Sequence, residues 1–250
     1  MTLGIEIRGL DLASASVDEL RTQLAEHGVL ILREQALDDE RFLAFLRRFG
    51  EMMFTEGETP VPGFPDLNVV SNVGRTTPPK STFHVDTTYV PNPPAYTALR
   101  AVSVPAAGGS TQFSDQYSAY ETLPAAMKED LAGRTVTHRV TGVASDTDSS
   151  AEHPLFAVHP LSGRTALALS APARCVAISG MNSEQTRETI RYLFEHSTRA
   201  ENVLQHAWAP GDLVMWDNRC VMHRADHSGV VGNRVMHRGM IANAENASVM

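Results

Sequence analysis

FHVDTTY, residues 83–89, places a histidine and an aspartate two positions apart, at His84 and Asp86. Side chains two positions apart on a β-strand point to the same side, so the pattern predicts that both face one pocket while Val85 faces away. A third residue, His223, follows far along the chain. Two imidazoles and one carboxylate form the ligand set that binds non-haem iron(II) on one triangular face and leaves the other positions open. Ligands this far apart in sequence indicate a barrel or sandwich of antiparallel strands.

The triplet alone is weak evidence for a metal site, because the chain contains ten histidines. A histidine in a soluble protein more often has a structural or solvent-facing role than a metal-binding one. Considered by itself, the pattern leaves both roles open.

Length, charge and cysteine content limit the class of protein. The 250 residues, 42% of them hydrophobic, are expected to form one soluble domain over residues 1–250. The 29 acidic and 21 basic residues give a formal net charge of −8, which argues against a nucleic-acid partner. The N-terminus lacks a signal-peptide pattern and no run of about 18 apolar residues occurs, so no membrane association is predicted. Cys175 and Cys220 form no C-x-x-C pattern, which fits a reducing, cytoplasmic location.

The secondary-structure signals predict a mainly β fold with flanking helices, of the α+β class. Ser16 and Glu19 form a capping-box pattern for a helix that ends near Gly28, and Asp38 can cap a second helix that reaches Gly50. Further helices are predicted at 114–133, with Pro124 starting a new segment, and at 182–196. Short apolar runs predict strands at 29–32, 68–72, 97–104, 135–140, 156–159, 166–170, 203–208, 213–216 and 234–241.

Residues 141–152, TGVASDTDSSAE, are small, polar and acidic. This composition is typical of a mobile loop. The sequence leaves open whether the loop covers a binding site as a lid or is a plain surface loop.

Four segments carry a resemblance to a known family: STFHVDTTY at 81–89, GGSTQF at 108–113, WDNRCVMH at 216–223 and NRVMHRGMI at 233–241. They resemble the TauD/TfdA family of taurine and 2,4-dichlorophenoxyacetate dioxygenases, and the similarity spans nearly the whole chain. The resemblance implies a double-stranded β-helix, or jelly-roll, core. It also implies an enzyme that uses iron(II), 2-oxoglutarate and oxygen, forms succinate and carbon dioxide, and hydroxylates or oxidatively cleaves its substrate.

The family's metal and cosubstrate residues can be carried over by position. His84, Asp86 and His223 match the iron ligands. Arg234, eleven residues after His223, matches the arginine that pairs with the distal carboxylate of 2-oxoglutarate, and Thr111 matches the threonine that hydrogen-bonds the same carboxylate. Both assignments suit the chemistry, because a guanidinium offers a planar fork to a carboxylate and a hydroxyl adds a donor.

Two basic residues are candidates for binding the substrate. Arg238, four residues after Arg234, would share its side of a strand and matches a position that often binds the anionic group of the substrate. An ordinary salt bridge is the alternative for Arg238. Lys80, four residues before His84, is a weaker candidate that also fits an exposed loop lysine. The resemblance therefore implies a small substrate that carries a carboxylate or a sulfonate.

The identity of the substrate is the property that the family resemblance predicts least well. Residues 51–63 lack the histidine and tyrosine of the taurine enzyme, and the stretch between residues 140 and 156 is short, so taurine itself is disfavoured. Residues 216–219, WDNR, are expected to place His223 rather than to take part in the chemistry. The carboxylate of Asp86 argues against halogenation, because related halogenases replace it with a small residue.

Two other functions use the same residue types. A zinc-dependent hydrolase could use the three ligands to activate water, but it would give no reason for Arg234 and Thr111. A non-catalytic binding protein would tolerate the loss of a ligand, and none is lost. The sequence also leaves open whether the chain acts alone or as a homo-oligomer.

Overall fold

The computed structural model describes residues 2–74, 82–141 and 149–243. Strands predominate over helices. The strands are β1 (Ile5–Ile7), β2 (Val29–Leu32), β3 (Met52–Met53), β4 (Pro60–Val61), β5 (Phe64–Ser71), β6 (Tyr96–Ser103), β7 (Thr111–Asp115), β8 (Thr135–Arg139), β9 (Ser150–Pro154), β10 (Phe156–Val158), β11 (Thr165–Leu167), β12 (Cys175–Ile178), β13 (Val203–His206), β14 (Leu213–Asp217), β15 (Val221–Ala225) and β16 (Val235–Ile241). The helices are α1 (Val17–His27), α2 (Asp39–Arg47), α3 (Gln116–Glu121), α4 (Ala125–Leu131) and α5 (Ser183–Ser197).

The strands form a sandwich of mostly antiparallel sheets. The largest sheet has the order β1-β2-β14-β6-β16-β5-β4, with β3 also paired to β16. Only the pairing of β1 with β2 is parallel among the pairs described. Strand β7 lies between β13 and β15 in a second sheet, and β8 lies between β12 and β9 in a third. Neighbouring strands thus come from distant parts of the chain, as in a jelly roll, and the predicted fold class is confirmed.

Apolar layers cover both faces of the largest sheet. On the outer face, Leu32 and Met215 pack against helix α2 through residues such as Phe42. On the inner face, Trp216 packs against Phe113 of the second sheet, with 5.4 Å between the ring centroids. Polar side chains on this inner face are therefore largely withdrawn from water.

The predicted helix starts are confirmed by their caps. The Ser16 hydroxyl accepts a hydrogen bond from the Glu19 N–H at 3.3 Å, and the Asp38 carboxylate accepts one from the third residue of the next helix at 2.8 Å. Pro124 immediately precedes α4, and Asn182 begins α5 with a complete capping box. The side chains of Ser16, Asp38 and Asn182 satisfy backbone N–H groups that the first turn of a helix leaves without a partner.

The sequence signals miss strands β1, β3, β4, β7, β9, β12 and β15. Polar residues in β7 explain one of these omissions, because their hydrogen-bonding groups are satisfied inside the protein. Ser114 is 0% exposed, and its hydroxyl donates to the Ser197 carbonyl oxygen at 2.8 Å. A buried polar strand of this kind has no alternation of apolar and polar residues for a sequence to reveal.

The prediction of a loop over residues 141–152 is wrong at its C-terminal end. Strand β9 begins at Ser150 and pairs with β8, with Ala151 opposite His138. Backbone pairing and the burial of Ala151, which is 8% exposed, outweigh the polar composition. The remaining part of the predicted loop, residues 142–148, lies outside the described residues.

Within the described ranges, no helix combines the length and the apolar character needed to cross a membrane. Cys175 and Cys220 are both free and buried.

Candidate active site

Three side chains from the sequence pattern converge on one point. The ligand atoms of His84, Asp86 and His223 all lie within 4.8 Å of one another. His84 Nε2 is 3.7 Å from Asp86 Oδ1, and His223 Nε2 is 3.8 Å from Asp86 Oδ2. The backbones of the two histidines exchange N–H···O bonds of 3.0 and 2.9 Å, which hold the rings side by side.

The backbone around His84 differs from the predicted strand. His84 forms an isolated β-bridge with His223, and Asp86 lies in a turn. Thr87 has a φ of 51°, a left-handed conformation that strand geometry does not allow. Strand periodicity therefore does not bring the His84 and Asp86 side chains together, and other contacts have to hold them.

The peptide between the two residues is held by the segment that follows β11. Ser170 Oγ accepts a hydrogen bond from the Val85 N–H at 3.2 Å, and Arg174 Nη1 donates to the Val85 carbonyl oxygen at 2.7 Å. Arg174 is only 4% exposed, and burial lowers its pKa. Sequence reasoning missed both supporting residues, because neither belongs to a recognisable motif.

The Asp86 carboxylate stays ionised although it is buried. Burial alone would raise its pKa, but the nearby Arg238 guanidinium, the two histidines and a hydrogen bond from Thr97 hold the pKa well below its usual range. Arg238 Nη1 donates to Oδ1 at 3.2 Å, and the Thr97 hydroxyl donates to Oδ2 at 2.9 Å. Each carboxylate oxygen therefore keeps lone-pair capacity for a metal.

Both histidines are suited to bind a metal through Nε2. The His84 Nδ1 atom is 2.9 Å from the Thr82 carbonyl oxygen, which places the proton on Nδ1 and the lone pair on Nε2. Burial lowers the pKa of His223 to about 3, so this ring is neutral at pH 7. Two imidazoles and a carboxylate are the donors that iron(II) accepts in non-haem sites, and zinc accepts the same atoms.

A chain of buried hydrogen bonds orients the Asp86 carboxylate. Trp216 Nε1 donates to Asn218 Oδ1 at 3.1 Å, and Asn218 Nδ2 donates to Thr97 Oγ1 at 2.8 Å. Because Thr97 accepts from the amide, its own hydroxyl hydrogen points to Asp86. Trp216 and Thr97 are both 0% exposed, so no water competes for these bonds. Sequence reasoning missed Thr97, which lies inside a strand without any motif.

The other two residues of the WDNR motif form a buried ion pair. Arg219 Nη2 donates to Asp217 Oδ2 at 2.7 Å, and His159 Nε2 lies 3.0 Å from the same oxygen. Burial would raise the pKa of Asp217, but Arg219 and His159 lower it to about 2. This cluster anchors the turn before β15, the strand that carries His223.

Arg234 and Thr111 form a second polar group. Arg234 Nε donates to the Gly109 carbonyl oxygen at 2.8 Å, and Arg234 Nη2 donates to Thr111 Oγ1 at 3.1 Å. Trp208 Nε1 donates to the same hydroxyl oxygen at 3.0 Å, so the Thr111 hydrogen is directed to a further acceptor. Gly109 has a φ of 73°, and a Cβ there would lie 3.1 Å from Arg234 Cδ.

The Arg234 guanidinium is buried without a compensating carboxylate among the described residues. It is 1% exposed, its Nη1 atom has no hydrogen-bond partner in that part of the chain, and burial lowers its pKa to about 10. A buried cation is costly unless an anion pairs with it. The arrangement therefore fits an external carboxylate that accepts from Nη1 and from the Thr111 hydroxyl.

Arg238 lies next to the three converging residues but already has protein partners. Its Nε atom donates to Asn68 Oδ1 at 3.0 Å, and its Nη2 atom is 3.4 Å from Glu58 Oε1. Arg238 therefore forms salt bridges with Asp86 and Glu58, which is the alternative to substrate binding that the sequence left open. Lys80, the other substrate-binding candidate, lies outside the described residues.

Comparisons with known proteins agree on one family. The sequence model of the family described as "Taurine catabolism dioxygenase TauD, TfdA family" matches residues 2–240. An alpha-ketoglutarate-dependent 2,4-dichlorophenoxyacetate dioxygenase of Cupriavidus pinatubonensis is 31% identical over 256 residues, which cover 91% of this chain and 88% of the relative. Alpha-ketoglutarate is another name for 2-oxoglutarate.

Solved structures give the same result. The crystal structure of a taurine dioxygenase from Burkholderia xenovorans superimposes with a TM-score of 0.84 and 31% identity, covering 96% of this chain and 88% of that one. A structure of AAD-2 in complex with Mn(II) and N-oxalylglycine has a TM-score of 0.84 and 27% identity, covering 97% and 95%. The chain belongs to the TauD/TfdA family of alpha-ketoglutarate-dependent dioxygenases.

Proposed function

We propose that this chain is an iron(II)- and 2-oxoglutarate-dependent dioxygenase that oxidises a small anionic organic substrate. The observation that carries the proposal is the buried Arg234 guanidinium, hydrogen-bonded to Thr111 and without a carboxylate partner among the described residues. A metal site alone would serve many reactions. A metal site combined with a buried receptor for a second carboxylate is what 2-oxoglutarate requires.

In this proposal, His84, Asp86 and His223 hold iron(II) and leave its other positions open. The bound metal supplies the activation of oxygen that converts 2-oxoglutarate to succinate and carbon dioxide and oxidises the substrate. The protein's own contribution is to present Nε2 of both imidazoles, to keep the carboxylate ionised, and to hold all three side chains in place. The relative that contains Mn(II) supports a divalent metal in this fold.

Arg234 and Thr111 bind the far carboxylate of 2-oxoglutarate. The guanidinium supplies charge and the free Nη1 donor, and the hydroxyl supplies a second donor. Their burial excludes water, which would otherwise weaken the pairing. N-oxalylglycine has the same two terminal carboxylates as 2-oxoglutarate, so its presence in a related structure supports a site of this kind.

Arg238 binds the anionic group of the substrate, a carboxylate or a sulfonate. Its position beside Asp86 would place that group close to the metal, with the oxidised carbon next to it. The substrates named for the relatives, 2,4-dichlorophenoxyacetate and taurine, include both kinds of anion. Lys80 stays a candidate for a further contact with the substrate. We place the enzyme in the cytosol, where its two buried thiols would stay reduced.

A zinc hydrolase is not supported by the same observations. Such an enzyme would need a general base near the metal. The carboxylate of Glu58 is instead paired with Arg238, with Oε1 3.4 Å from Nη2. Hydrolysis would also leave the buried Arg234 without a function.

The test is succinate formation from 2-oxoglutarate, with iron(II) and oxygen, in the presence of a panel of small carboxylates and sulfonates. Wild-type protein should form succinate and His84→Ala should form none. Arg234→Met should form little succinate at the 2-oxoglutarate concentration that saturates wild type. His27→Ala is a matched control, because it removes a histidine at the end of α1, remote in sequence from the pattern. If wild type neither forms succinate nor binds 2-oxoglutarate, the proposed function is wrong.

A further inference from the structure

We propose that Glu58 is a built-in counter-ion for Arg238, which an anionic substrate has to displace in order to bind. The inference rests on the substrate-binding role proposed above for Arg238. It makes Glu58 a specificity-determining residue, because only an anion that competes well with a carboxylate would replace it.

Every nitrogen atom of the Arg238 guanidinium has a protein partner. Nε donates to Asn68, Nη1 donates to Asp86, and Nη2 lies 3.4 Å from Glu58 Oε1. A carboxylate or sulfonate binds a guanidinium best through two adjacent N–H groups, either Nε with Nη2 or Nη1 with Nη2. Both arrangements use Nη2, where Glu58 is located. The Arg238 side chain is only 11% exposed, which leaves an incoming anion little other access.

Of the three partners, Glu58 is the one that can leave. Asn68 is 2% exposed and lies opposite Arg238 in the pairing of β5 with β16. Asp86 is 5% exposed and is held by Thr97. Glu58 is 34% exposed, and its contact with Arg238 is the longest of the three.

The loop that carries Glu58 is placed over the candidate active site. It connects β3 to β4, and the Thr55 hydroxyl lies 3.1 Å from the hydroxyl of Thr87, the residue that follows Asp86. The Glu58 N–H donates to the Thr55 carbonyl oxygen at 3.3 Å, which forms a turn above the site. A rotation of the Glu58 side chain would break its 3.4 Å contact with Arg238 and the 3.5 Å hydrogen bond that Asn68 Nδ2 donates to Oε2, and would expose Nη2 without moving the sheet.

The charges favour an exchange over simple addition. With Glu58 in place, two carboxylates face one guanidinium, and a third anion would be repelled. Replacing Glu58 by a substrate anion keeps the charge balance unchanged. Removing the charge of Glu58 should therefore strengthen anion binding, whereas no gain is expected if the anion binds away from Arg238.

The test compares Glu58→Gln with wild type by calorimetric titration. Glu56→Gln is the matched control, because it makes the same charge change at an exposed position of the same loop. The probes are 2,4-dichlorophenoxyacetate, taurine and sulfate, with uncharged 2,4-dichlorophenoxyethanol for comparison. Each is titrated into metal-free protein and into protein loaded with Mn(II) and N-oxalylglycine, which prevents turnover.

Glu58→Gln should bind at least one of the anions about three- to tenfold more tightly than wild type, as expected for a partly exposed charge pair. Its affinity for the alcohol should not change, and Glu56→Gln should behave as wild type. The inference is overturned if Glu58→Gln gains no affinity, if it binds none of the anions, or if Glu56→Gln gains as much. Failure to bind Mn(II) would instead count against the proposed function, and the metal-free titration would still decide the role of Glu58.

Discussion

Thr97→Val is expected to weaken metal binding while leaving the fold intact. Valine has nearly the shape of threonine, so the substitution leaves no cavity at a position that is 0% exposed. It removes the donor to Asp86 Oδ2 and the acceptor of Asn218 Nδ2 at the same time. The Asp86 carboxylate would then be held on one side only, by Arg238.

The magnitude follows from the two lost hydrogen bonds. A bond to a charged group contributes about 1.5–3 kcal/mol, and loss of a residue that supports a metal ligand typically weakens metal binding about 10- to 100-fold. The dissociation constant for Mn(II) should therefore rise by about one to two orders of magnitude. The buried Asn218 donor left without an acceptor should lower the free energy of unfolding by about 1–3 kcal/mol.

Calorimetric titration with Mn(II) measures the first effect, and urea unfolding of the metal-free protein measures the second. Thr97→Ser is the control, because it keeps the hydroxyl and should recover most of the metal affinity. The reasoning is refuted if Thr97→Val binds Mn(II) as tightly as wild type. It is equally refuted if Thr97→Ser is as weak as Thr97→Val, since the hydroxyl would then not be the cause.

Three further predictions concern the cosubstrate, the metal and pH. Arg234→Met should raise the KM for 2-oxoglutarate at least about a hundredfold, because a buried charged pair contributes several kcal/mol. The affinity for Mn(II) should stay unchanged. A rise in KM below threefold would contradict the role of Arg234. Mn(II) at 100 times its dissociation constant should add about 2.7 kcal/mol to the free energy of unfolding of wild type, and nothing to that of His84→Ala, as thermal melts would show. Burial lowers the pKa of His138 from 6.5 to about 3, so below pH 6.5 the unfolded chain takes up a proton that the folded protein does not, and stability falls as pH drops toward 3. Between pH 7.5 and pH 5, urea unfolding should show wild type losing about 2 kcal/mol more than His138→Gln; equal losses would disprove it.

The sequence by itself was sufficient for the fold class and for the candidate residues. Helix caps such as Ser16 and Asp38 act on backbone groups a few positions away, so the local sequence contains all the information that they need. The relative positions of His84, Asp86, His223 and their family motifs indicated which side chains would meet. Their roles as ligands stay a proposal that the metal titrations test.

Only the tertiary structure decided how those side chains are held and charged. The side chains of His84 and Asp86 face the same point although these residues do not lie on a regular strand. Contacts from other elements hold them there, in place of the strand geometry that the sequence suggested. The Thr97 hydroxyl is joined to Asn218 across 121 positions of sequence, and Glu58 reaches Arg238 from a different loop. Hydrogen bonds and ion pairs act over a few ångströms in defined directions and depend on burial, which a linear pattern does not contain.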